Sequence, residues 1–268
     1  MDEKKHNKEI QVLYKNLKSY IEKKEKDLKI IRIIGKGGFG FVVQVKYKGQ
    51  SLAGKLIRNK IYDENKLIHY AQSITGQLIG DETELIKEFR GTNIVKITKI
   101  YDNIKIKDIN NTIQTCHFII MEYAELKDLR YLIDDLYKKN KLKLINKSPF
   151  GGEVSDNLIR FLSYEIIKGL ESLDRKEYYH FDIKPDNLLI FRGLIPKISD
   201  FSLLRAKNQL KEKDKKVEMP KNEFEKDEKV RIPGGTPGYL SPEYYQDNYV
   251  SLEVVKKQDY FALGGVIR

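Results

Sequence analysis

The stretch His180-Phe181-Asp182-Ile183-Lys184-Pro185-Asp186-Asn187 places a carboxylate, a cation and an amide within one short segment. Asp182 can accept a proton, and Lys184 can neutralise a negative charge that lies beside it. Asn187 can bind a metal ion through its carbonyl oxygen. Pro185 lacks a backbone N–H group and has a fixed φ, so an ordered loop suits this segment better than a helix. Taken alone, the segment is explained equally well as a polar loop without chemistry.

A glycine-rich segment near the N-terminus reads Gly35-Lys36-Gly37-Gly38-Phe39-Gly40-Phe41-Val42. Apolar, β-branched residues precede it at 29–34 and follow it at 41–47, so the pattern predicts a β-hairpin rather than the strand and helix of a dinucleotide-binding turn. Glycines let backbone N–H groups approach phosphate oxygens, because no Cβ atom intervenes. Val42, in the second strand, would cover a flat adenine ring.

The next predicted strand, residues 51–58, carries a lysine in the sequence Ala53-Gly54-Lys55. A lysine is uncommon in an apolar strand unless an acidic side chain pairs with it. The alternative is an exposed lysine at the edge of a sheet.

Three later segments complete the pattern. Asp200-Phe201-Ser202 follows a hairpin predicted at 188–199, residues 235–243 read Gly-Thr-Pro-Gly-Tyr-Leu-Ser-Pro-Glu, and residues 259–266 read Asp-Tyr-Phe-Ala-Leu-Gly-Gly-Val. Together with the glycine turn, the strand lysine and the loop at 180–187, these segments resemble, in order and spacing, the motifs of the eukaryotic protein kinase domain of the serine/threonine type.

The resemblance implies an α+β, bilobal protein kinase-like fold, with a small antiparallel β-sheet lobe and a mainly helical lobe. The expected divisions are a charged helical extension at 1–28, a kinase domain at 29–268, a sheet lobe at about 29–121, a hinge at 122–127, a helical lobe at 128–268 and a charged insertion at about 207–230. The Lys/Glu-rich residues of that insertion predict disorder. The family continues for several helices beyond the position of Arg268, so the helical lobe is expected to be incomplete.

The resemblance also implies catalytic roles, with ATP as phosphate donor. Lys55 orients the α- and β-phosphates and is held by Glu82, or by Glu84 as the fallback. Asp182 orients the substrate hydroxyl and accepts its proton, and Lys184 neutralises charge on the γ-phosphate. The predicted catalytic residues are Lys55, Glu82, Asp182 and Lys184.

The remaining contacts implied by the resemblance concern Mg²⁺ and adenine. Asn187 and Asp200 hold Mg²⁺. Met121 is the gatekeeper behind adenine, which bonds to the backbone of Glu122 and Ala124. The predicted nucleotide-binding residues are Gly35, Lys36, Gly37, Gly38, Phe39, Gly40, Val42, Ala53, Lys55, Met121, Glu122, Ala124, Asp128 and Asn187.

Two of these features have a second structural explanation. Asp128 can bind the ribose hydroxyls or cap the helix that begins there. The apolar residues of segment 1–28 have helical spacing, so the segment is either a helix with one docked face or a surface for a membrane or a partner. These residues are Ile10, Leu13, Leu17 and Ile21.

The departures from the family pattern bear on regulation. Phe181 stands where the family has an arginine that meets a phosphate on the activation segment, and residues 203–235 contain no Ser, Thr or Tyr. We therefore expect activation without a phosphate in that segment. Ser202 replaces a glycine and should narrow the backbone states there. Gly54 replaces an isoleucine, and Ser241 replaces an alanine.

Composition narrows the class of protein. The 268 residues are 40% hydrophobic and 33% charged, with a formal net charge of +11. Lysines are dispersed among acids and no groove-reading motif occurs, so no specific nucleic-acid binding is expected. No apolar run is long enough to span a membrane. The single cysteine, Cys116, excludes an internal disulfide and a cysteine-based zinc site.

The sequence thus predicts an ATP-dependent protein serine/threonine kinase that uses Mg²⁺. Its expected partner is a protein substrate with a Ser or Thr hydroxyl, and its expected location is the cytoplasm, with the nucleus as the alternative. A pseudokinase or scaffold that keeps the fold without efficient transfer is the alternative. The sequence does not predict an oligomeric state.

Overall fold

The computed structural model describes residues 3–37, 40–58, 93–141, 156–210, 229–231, 233–246 and 249–267. The chain divides into two compact units. Unit 1 contains residues 1–90 and 95–123, and unit 2 contains residues 91–94 and 124–268. The predicted α+β fold, with an antiparallel sheet in one part and mainly helices in the other, is confirmed.

Unit 1 is built on a five-stranded antiparallel sheet with the order β1-β2-β3-β5-β4. Its strands are β1 (Leu28–Gly37), β2 (Gly40–Tyr47), β3 (Gln50–Arg58), β4 (Ile97–Lys107) and β5 (Ile113–Glu122). A helix, α1 (Glu3–Lys24), precedes them.

The apolar stripe of α1 lies against one face of this sheet. Its four core residues, Ile10, Leu13, Leu17 and Ile21, are at most 1% exposed. Alternate residues of the strands, such as Phe41, Val43 and Val45 of β2, belong to the same hydrophobic cluster. Since side chains alternate between the two faces of a strand, the intervening residues of β2 point to the other face.

Polar side chains of α1 also reach the two outer strands of the sheet. Glu22 accepts the backbone N–H of Ile30 at 2.8 Å, and Lys18 donates to the carbonyl of Ile30 at 2.9 Å. Asn16 donates to the carbonyl of Lys107, on β4, at 2.8 Å. Because β1 and β4 each have an open edge, these bonds occupy backbone groups that the sheet itself leaves unpaired.

Gly54, the residue that departs from the family's strand motif, is explained by packing. A Cβ atom at position 54 would lie 2.4 Å from Cζ of Phe118 and 3.2 Å from Cγ2 of Val43. Phe118 is fully buried, so its ring cannot move aside into solvent. The phenylalanine on β5 thus occupies the space that a larger residue at position 54 would need.

Gly54→Ala is therefore expected to lower the free energy of unfolding by about 1–3 kcal/mol, the usual cost of overpacking a core. Urea unfolding would measure it. Gly264→Ala, in a helix where an added Cβ meets nothing within 4 Å, should instead raise stability by roughly 0.5–1 kcal/mol. A stable Gly54→Ala protein would contradict the packing explanation.

Unit 2 is mainly helical, with short strands between the helices. Its helices are α2 (Leu129–Lys141), α3 (Asp156–Asp174), α4 (Lys207–Leu210), α5 (Pro242–Gln246) and α6 (Leu252–Ile267). Its strands are β6 (Tyr178–Tyr179), β7 (Leu188–Phe191), β8 (Ile195–Ile198), β9 (Arg205–Ala206), β10 (Lys229–Arg231) and β11 (Tyr249–Ser251). They pair antiparallel as β6 with β9, β7 with β8, and β10 with β11.

Helix α3 presents one apolar face to β8 and α6. Its buried residues are Leu158, Leu162, Ile166, Gly169, Leu170 and Leu173, which recur at helical spacing. At Gly169 a Cβ atom would lie 2.8 Å from the carbonyl oxygen of Asn93. Asn93 is itself buried and donates to Glu165 and to the carbonyl of Pro196.

The prediction of disorder for 207–230 is wrong at both ends of that segment. Residues 207–210 form α4, and Lys229 and Val230 belong to β10. The reason is apolar burial, because Leu210 and Val230 pack into one hydrophobic cluster despite their charged neighbours. Residues 211–228 lie outside the described part of the chain. None of the described helices is long and apolar enough to cross a membrane.

Candidate active site

Asp182 is the centre of a hydrogen-bond network in unit 2. Its Oδ2 atom accepts from Nζ of Lys184 and from Nδ2 of Asn187, each at 2.8 Å. Nδ2 of Asn187 also donates to the backbone carbonyl of Asp182 at 2.7 Å. The structure therefore brings together the carboxylate, the cation and the amide that the sequence singled out. Nδ2 of Asn187 bonds to Asp182, so the atom of this side chain that can bind a metal ion is its Oδ1 oxygen.

Thr236 joins the network from a distant part of the chain. Its hydroxyl donates to Oδ1 of Asp182 at 2.5 Å and accepts from Nζ of Lys184 at 2.7 Å. Position 236 follows Gly235, where a Cβ atom would lie 2.8 Å from the carbonyl oxygen of Phe181. The glycine thus permits the close approach that brings Thr236 to the loop. Thr236 was not among the predicted site residues.

Asp259, on α6, holds the start of the loop. Its two carboxylate oxygens accept the backbone N–H groups of His180 at 2.6 Å and of Phe181 at 2.8 Å. Burial raises the pKa of the Asp259 carboxyl, whereas His180 and the two N–H groups act in the opposite direction. Phe181 has a φ of 63°, a left-handed conformation that is uncommon for a bulky residue, so the bond to its N–H helps to maintain it.

The residue before Asp259 holds the neighbouring segment. Oε1 of Gln258 accepts the backbone N–H of Ser241 at 3.0 Å, and Nε2 donates to the carbonyl of Tyr239 at 3.1 Å. Gln258 is 2% exposed. Adjacent side chains of one helix therefore anchor both the loop at 180–187 and the segment that carries Thr236. Gln258 was not among the predicted site residues, and no sequence signal distinguished it from a surface glutamine.

His180 connects the loop to Asp200-Phe201-Ser202. Its Nδ1 atom accepts the backbone N–H of Asp182 at 3.2 Å, and its Nε2 atom lies 2.9 Å from the carbonyl oxygen of Ser199. The ring of Phe201 packs edge-on against that of His180, with centroids 5.9 Å apart.

The two predicted metal ligands are neighbours across the β7–β8 hairpin. The backbone carbonyl oxygen of Asn187 accepts both the backbone N–H and the hydroxyl of Ser199, each at 2.9 Å. Asp200 follows Ser199 directly and has a φ of 63°. An amide oxygen and a carboxylate are the donor types that Mg²⁺ prefers, so these residues fit that ion.

Four predicted nucleotide residues of unit 1, namely Val42, Ala53, Lys55 and Met121, share one face of the sheet, whereas Lys36 pairs with Phe41 and faces α1. Val42 lies opposite Lys55 across β2 and β3, and Ala53 lies opposite Met121 across β3 and β5. Partners in register point to the same face, which here is the face away from α1. At Gly40 a Cβ atom would lie 1.9 Å from the carbonyl oxygen of Leu56, so that position requires glycine.

Four predicted residues fall outside the described part of the chain. They are Gly38, Phe39, Glu82 and the fallback Glu84. The other glycine-turn residues, Gly35, Lys36 and Gly37, belong to β1. The pairing partner predicted for Lys55 therefore stays a prediction.

The predicted hinge follows β5. The backbone N–H of Glu122 donates to the carbonyl of Lys96 at 3.0 Å, and the carbonyl of Ala124 accepts the N–H of Lys127 at 3.3 Å. Oδ1 of Asp128 accepts the backbone N–H of Tyr131 at 2.8 Å. Asp128 thus caps α2, which is the second of the two explanations. Its contact with ribose stays a prediction.

Phe181 is buried in an apolar cluster that includes the ends of the segment after Asp200. The cluster consists of Tyr179, Phe181, Val230, Val250 and Val255, with Leu203, Leu210, Tyr244, Leu252 and Val254 packed against it. Phe181 is 2% exposed, and its ring centroid lies 6.2 Å from that of Tyr179. In this structure, apolar packing surrounds the position at which the family has its phosphate-binding arginine.

Phe181→Arg should therefore destabilise the protein rather than create a phosphate receptor. A charge introduced into this cluster lacks an ionic partner there, and we expect the free energy of unfolding to fall by about 3–5 kcal/mol. Phe181→Leu keeps an apolar side chain and should cost about 1 kcal/mol. Urea unfolding of both variants would test this, and an arginine variant as stable as the leucine variant would contradict the burial.

Comparisons with known proteins agree with this geometry. The family model described as "Protein kinase domain" matches residues 28–268. The mitogen-activated protein kinase spk1 of Schizosaccharomyces pombe is 25% identical over 180 residues, which cover 67% of this chain and 40% of the relative. The G-type lectin S-receptor-like serine/threonine-protein kinase SRK of Arabidopsis thaliana is 29% identical over 241 residues, 88% of this chain and 22% of the relative.

Human serine/threonine-protein kinase MRCK alpha is 27% identical over 221 residues, which cover 82% of this chain and 10% of the relative. The chain thus spans less than half of the length of these curated relatives.

Proposed function

Because the chain belongs to the protein kinase domain family, we propose that it is an ATP-dependent protein serine/threonine kinase. It transfers the γ-phosphate of ATP to a Ser or Thr hydroxyl of a protein. The observation that carries this proposal is the network in which Asp182 binds the ammonium of Lys184, the amide of Asn187 and the hydroxyl of Thr236.

Asp182 acts on the substrate hydroxyl. Its Oδ1 atom already accepts a hydrogen bond from an aliphatic hydroxyl, that of Thr236, which is the chemical group that a Ser or Thr substrate presents. Binding through the same carboxylate orients the substrate oxygen and receives its proton as the phosphoryl group is transferred. The bonds from Lys184 and Asn187 fix the carboxylate, so little reorganisation is needed at the moment of reaction.

Lys184 supplies positive charge beside the reacting group. Its ammonium lies 2.8 Å from Oδ2 of Asp182, and a γ-phosphate presented to this carboxylate would meet the same cation. Asn187 and Asp200 would hold Mg²⁺, which neutralises phosphate charge when it is bound. In unit 1, Lys55 orients the α- and β-phosphates, and Val42 and Ala53 of the same sheet face contact adenine.

Two observations support Ser/Thr rather than Tyr as the acceptor. The relatives SRK and MRCK alpha are named serine/threonine-protein kinases. The hydroxyl of Thr236 bridges Lys184 and Asp182, so the space beside the carboxylate is occupied by a short side chain of the Ser/Thr kind. These residues also match the Ser/Thr form of the family motifs.

The apolar cluster around Phe181 supports activation without a phosphate in residues 203–235. Leu203, Leu210 and Val230 reach the cluster from both ends of the segment. Apolar burial thus supplies contacts at the place where an arginine would bind a phosphate. We infer that apolar packing, rather than modification, positions the two ends of the segment.

A pseudokinase or scaffold is the alternative, and Ser202 in place of glycine favours it. Lys55→Met separates the two. The wild type should gain thermal stability with Mg·ATP and should label a generic basic protein from γ-labelled ATP. The methionine variant, which cannot orient the phosphates, should label it at least about 100-fold more slowly. Stabilisation of the wild type by Mg·ATP without any labelling would favour the scaffold.

A further inference from the structure

Helix α1 contacts both arms of the glycine-rich turn. Lys36 on β1 and Phe41 on β2 are partners in the same rung of the hairpin. Nζ of Lys36 donates to Oδ1 of Asn7 at 2.8 Å. The ring of Tyr14 packs edge-on against that of Phe41, with centroids 6.4 Å apart. One helix therefore contacts both strands of the hairpin at the Lys36–Phe41 rung.

The helix that makes these contacts is itself fixed to the sheet. Ile10 and Leu13, between the two contact residues, are at most 1% exposed. Glu9 forms an ion pair with Arg58 at 2.5 Å, and the side chain of Arg58 is 2% exposed. Because α1 cannot shift without breaking this buried pair and the apolar stripe, Asn7 and Tyr14 have defined positions above the hairpin.

These contacts approach the turn from behind. Phe41 faces α1, whereas Val42 and its partner Lys55 point to the opposite face of the sheet. The helix can thus restrain the hairpin without occupying the face on which Val42 and Lys55 lie. A restraint on the Lys36–Phe41 rung of the free protein lowers the entropy that the hairpin loses when it contacts phosphates.

We propose that α1 is a positioning element for the β1–β2 hairpin at its Lys36–Phe41 rung and that Asn7 is its positioning residue. The helix lies outside the part of the chain that matches the family model, which begins at residue 28. The effect of α1 on nucleotide affinity rests on the proposed function. The effect of α1 on amide exchange in the hairpin does not depend on that function. The two effects are therefore measured separately.

Hydrogen exchange measures the mobility. Asn7→Ala should speed amide exchange in a peptide covering residues 33–43 by about two- to tenfold, the range set by one net hydrogen bond. The matched control is Asn16→Ala, an asparagine of the same helix whose side chain bonds to the carbonyl of Lys107 on β4. It should leave that peptide unchanged. Equal exchange in wild type and Asn7→Ala would overturn the proposal, whatever the activity of the protein.

Nucleotide binding measures the consequence. Asn7→Ala should raise the Kd and the KM for Mg·ATP by about two- to tenfold with kcat unchanged, and Asn16→Ala should leave both within twofold. Asn7→Asp keeps an acceptor for Lys36 and should restore wild-type values. An increase shared by both alanine variants would overturn the specific role of Asn7. A wild type that binds no Mg·ATP would refute the proposed function, and the exchange result would still decide the restraint.

Discussion

Asp259→Asn is expected to lower the free energy of unfolding by about 3 kcal/mol and kcat by about 100-fold. The carboxylate accepts two backbone N–H groups, those of His180 and Phe181, at 2.6 and 2.8 Å. An asparagine can accept one of them, and its amide hydrogens then face the other. A buried donor without an acceptor costs about 1–3 kcal/mol, and a hydrogen bond to a charged group is worth about 1.5–3 kcal/mol.

The loss of activity follows from the same bonds, because they set the position of the loop that carries Asp182. A displacement of about 1 Å in a reacting group can cost roughly 100-fold in rate. Thermal unfolding and steady-state kinetics would measure the two effects. Glu253→Gln is the matched control, because this exposed residue of the same helix pairs only with Lys257 among the described residues. It should change stability by less than about 1 kcal/mol. A fully active Asp259→Asn protein would contradict the anchoring role.

Asp182→Asn is expected to slow phosphoryl transfer by about 10²–10⁴-fold while Mg·ATP still binds. The amide has almost the shape of the carboxylate but cannot receive a proton, which removes a contribution of that size. It also places hydrogens toward Lys184 and Asn187, both of which donate to Oδ2 in the wild type. Transfer from γ-labelled ATP would give the rate, and calorimetry would give the affinity.

The control for Asp182→Asn is Asp186→Asn. Asp186 belongs to the same loop, is exposed, and its distance to the guanidinium of Arg130 is 3.8 Å. Its loss should change the transfer rate by less than about threefold, since exposed ion pairs contribute little. Comparable losses in both variants would show that the loop is sensitive to any change of charge and that Asp182 has no specific role.

Local residue patterns predicted the loop network because its members are close in sequence. Asp182, Lys184 and Asn187 lie within six positions, so one turn of ordered backbone brings their side chains together. Apolar, β-branched patterns likewise predicted the strands that carry Val42, Ala53 and Lys55. These predictions depend only on local residue patterns. The structure has the hydrogen-bonded loop and the paired strands at these positions.

The contacts that the sequence did not predict join residues far apart in the chain. Thr236 reaches Asp182 across 54 positions, and Asn16 reaches Lys107 across 91. Thr236 lies in the segment 235–243 that the sequence singled out, but nothing in that segment predicted its contact with Asp182, and Asn16 has no local pattern that distinguishes it from an ordinary polar residue. The reason for glycine at position 54 also depends on a residue distant in sequence, because Phe118 fills the space that a Cβ atom there would need. The many charged residues at 207–230 led to the prediction of disorder there. Leu210 and Val230 are nevertheless packed in a cluster with apolar partners that are distant in sequence.

The measurement that tests the proposed kinase activity most directly is phosphoamino-acid analysis of a basic protein substrate after incubation with the chain, Mg²⁺ and γ-labelled ATP. We expect label in phosphoserine or phosphothreonine with the wild type and its loss with Asp182→Asn. Mg·ATP binding to the wild type without labelled Ser or Thr, or equal label with the Asp182→Asn variant, would contradict the assignment of Asp182 as the group that activates a protein hydroxyl.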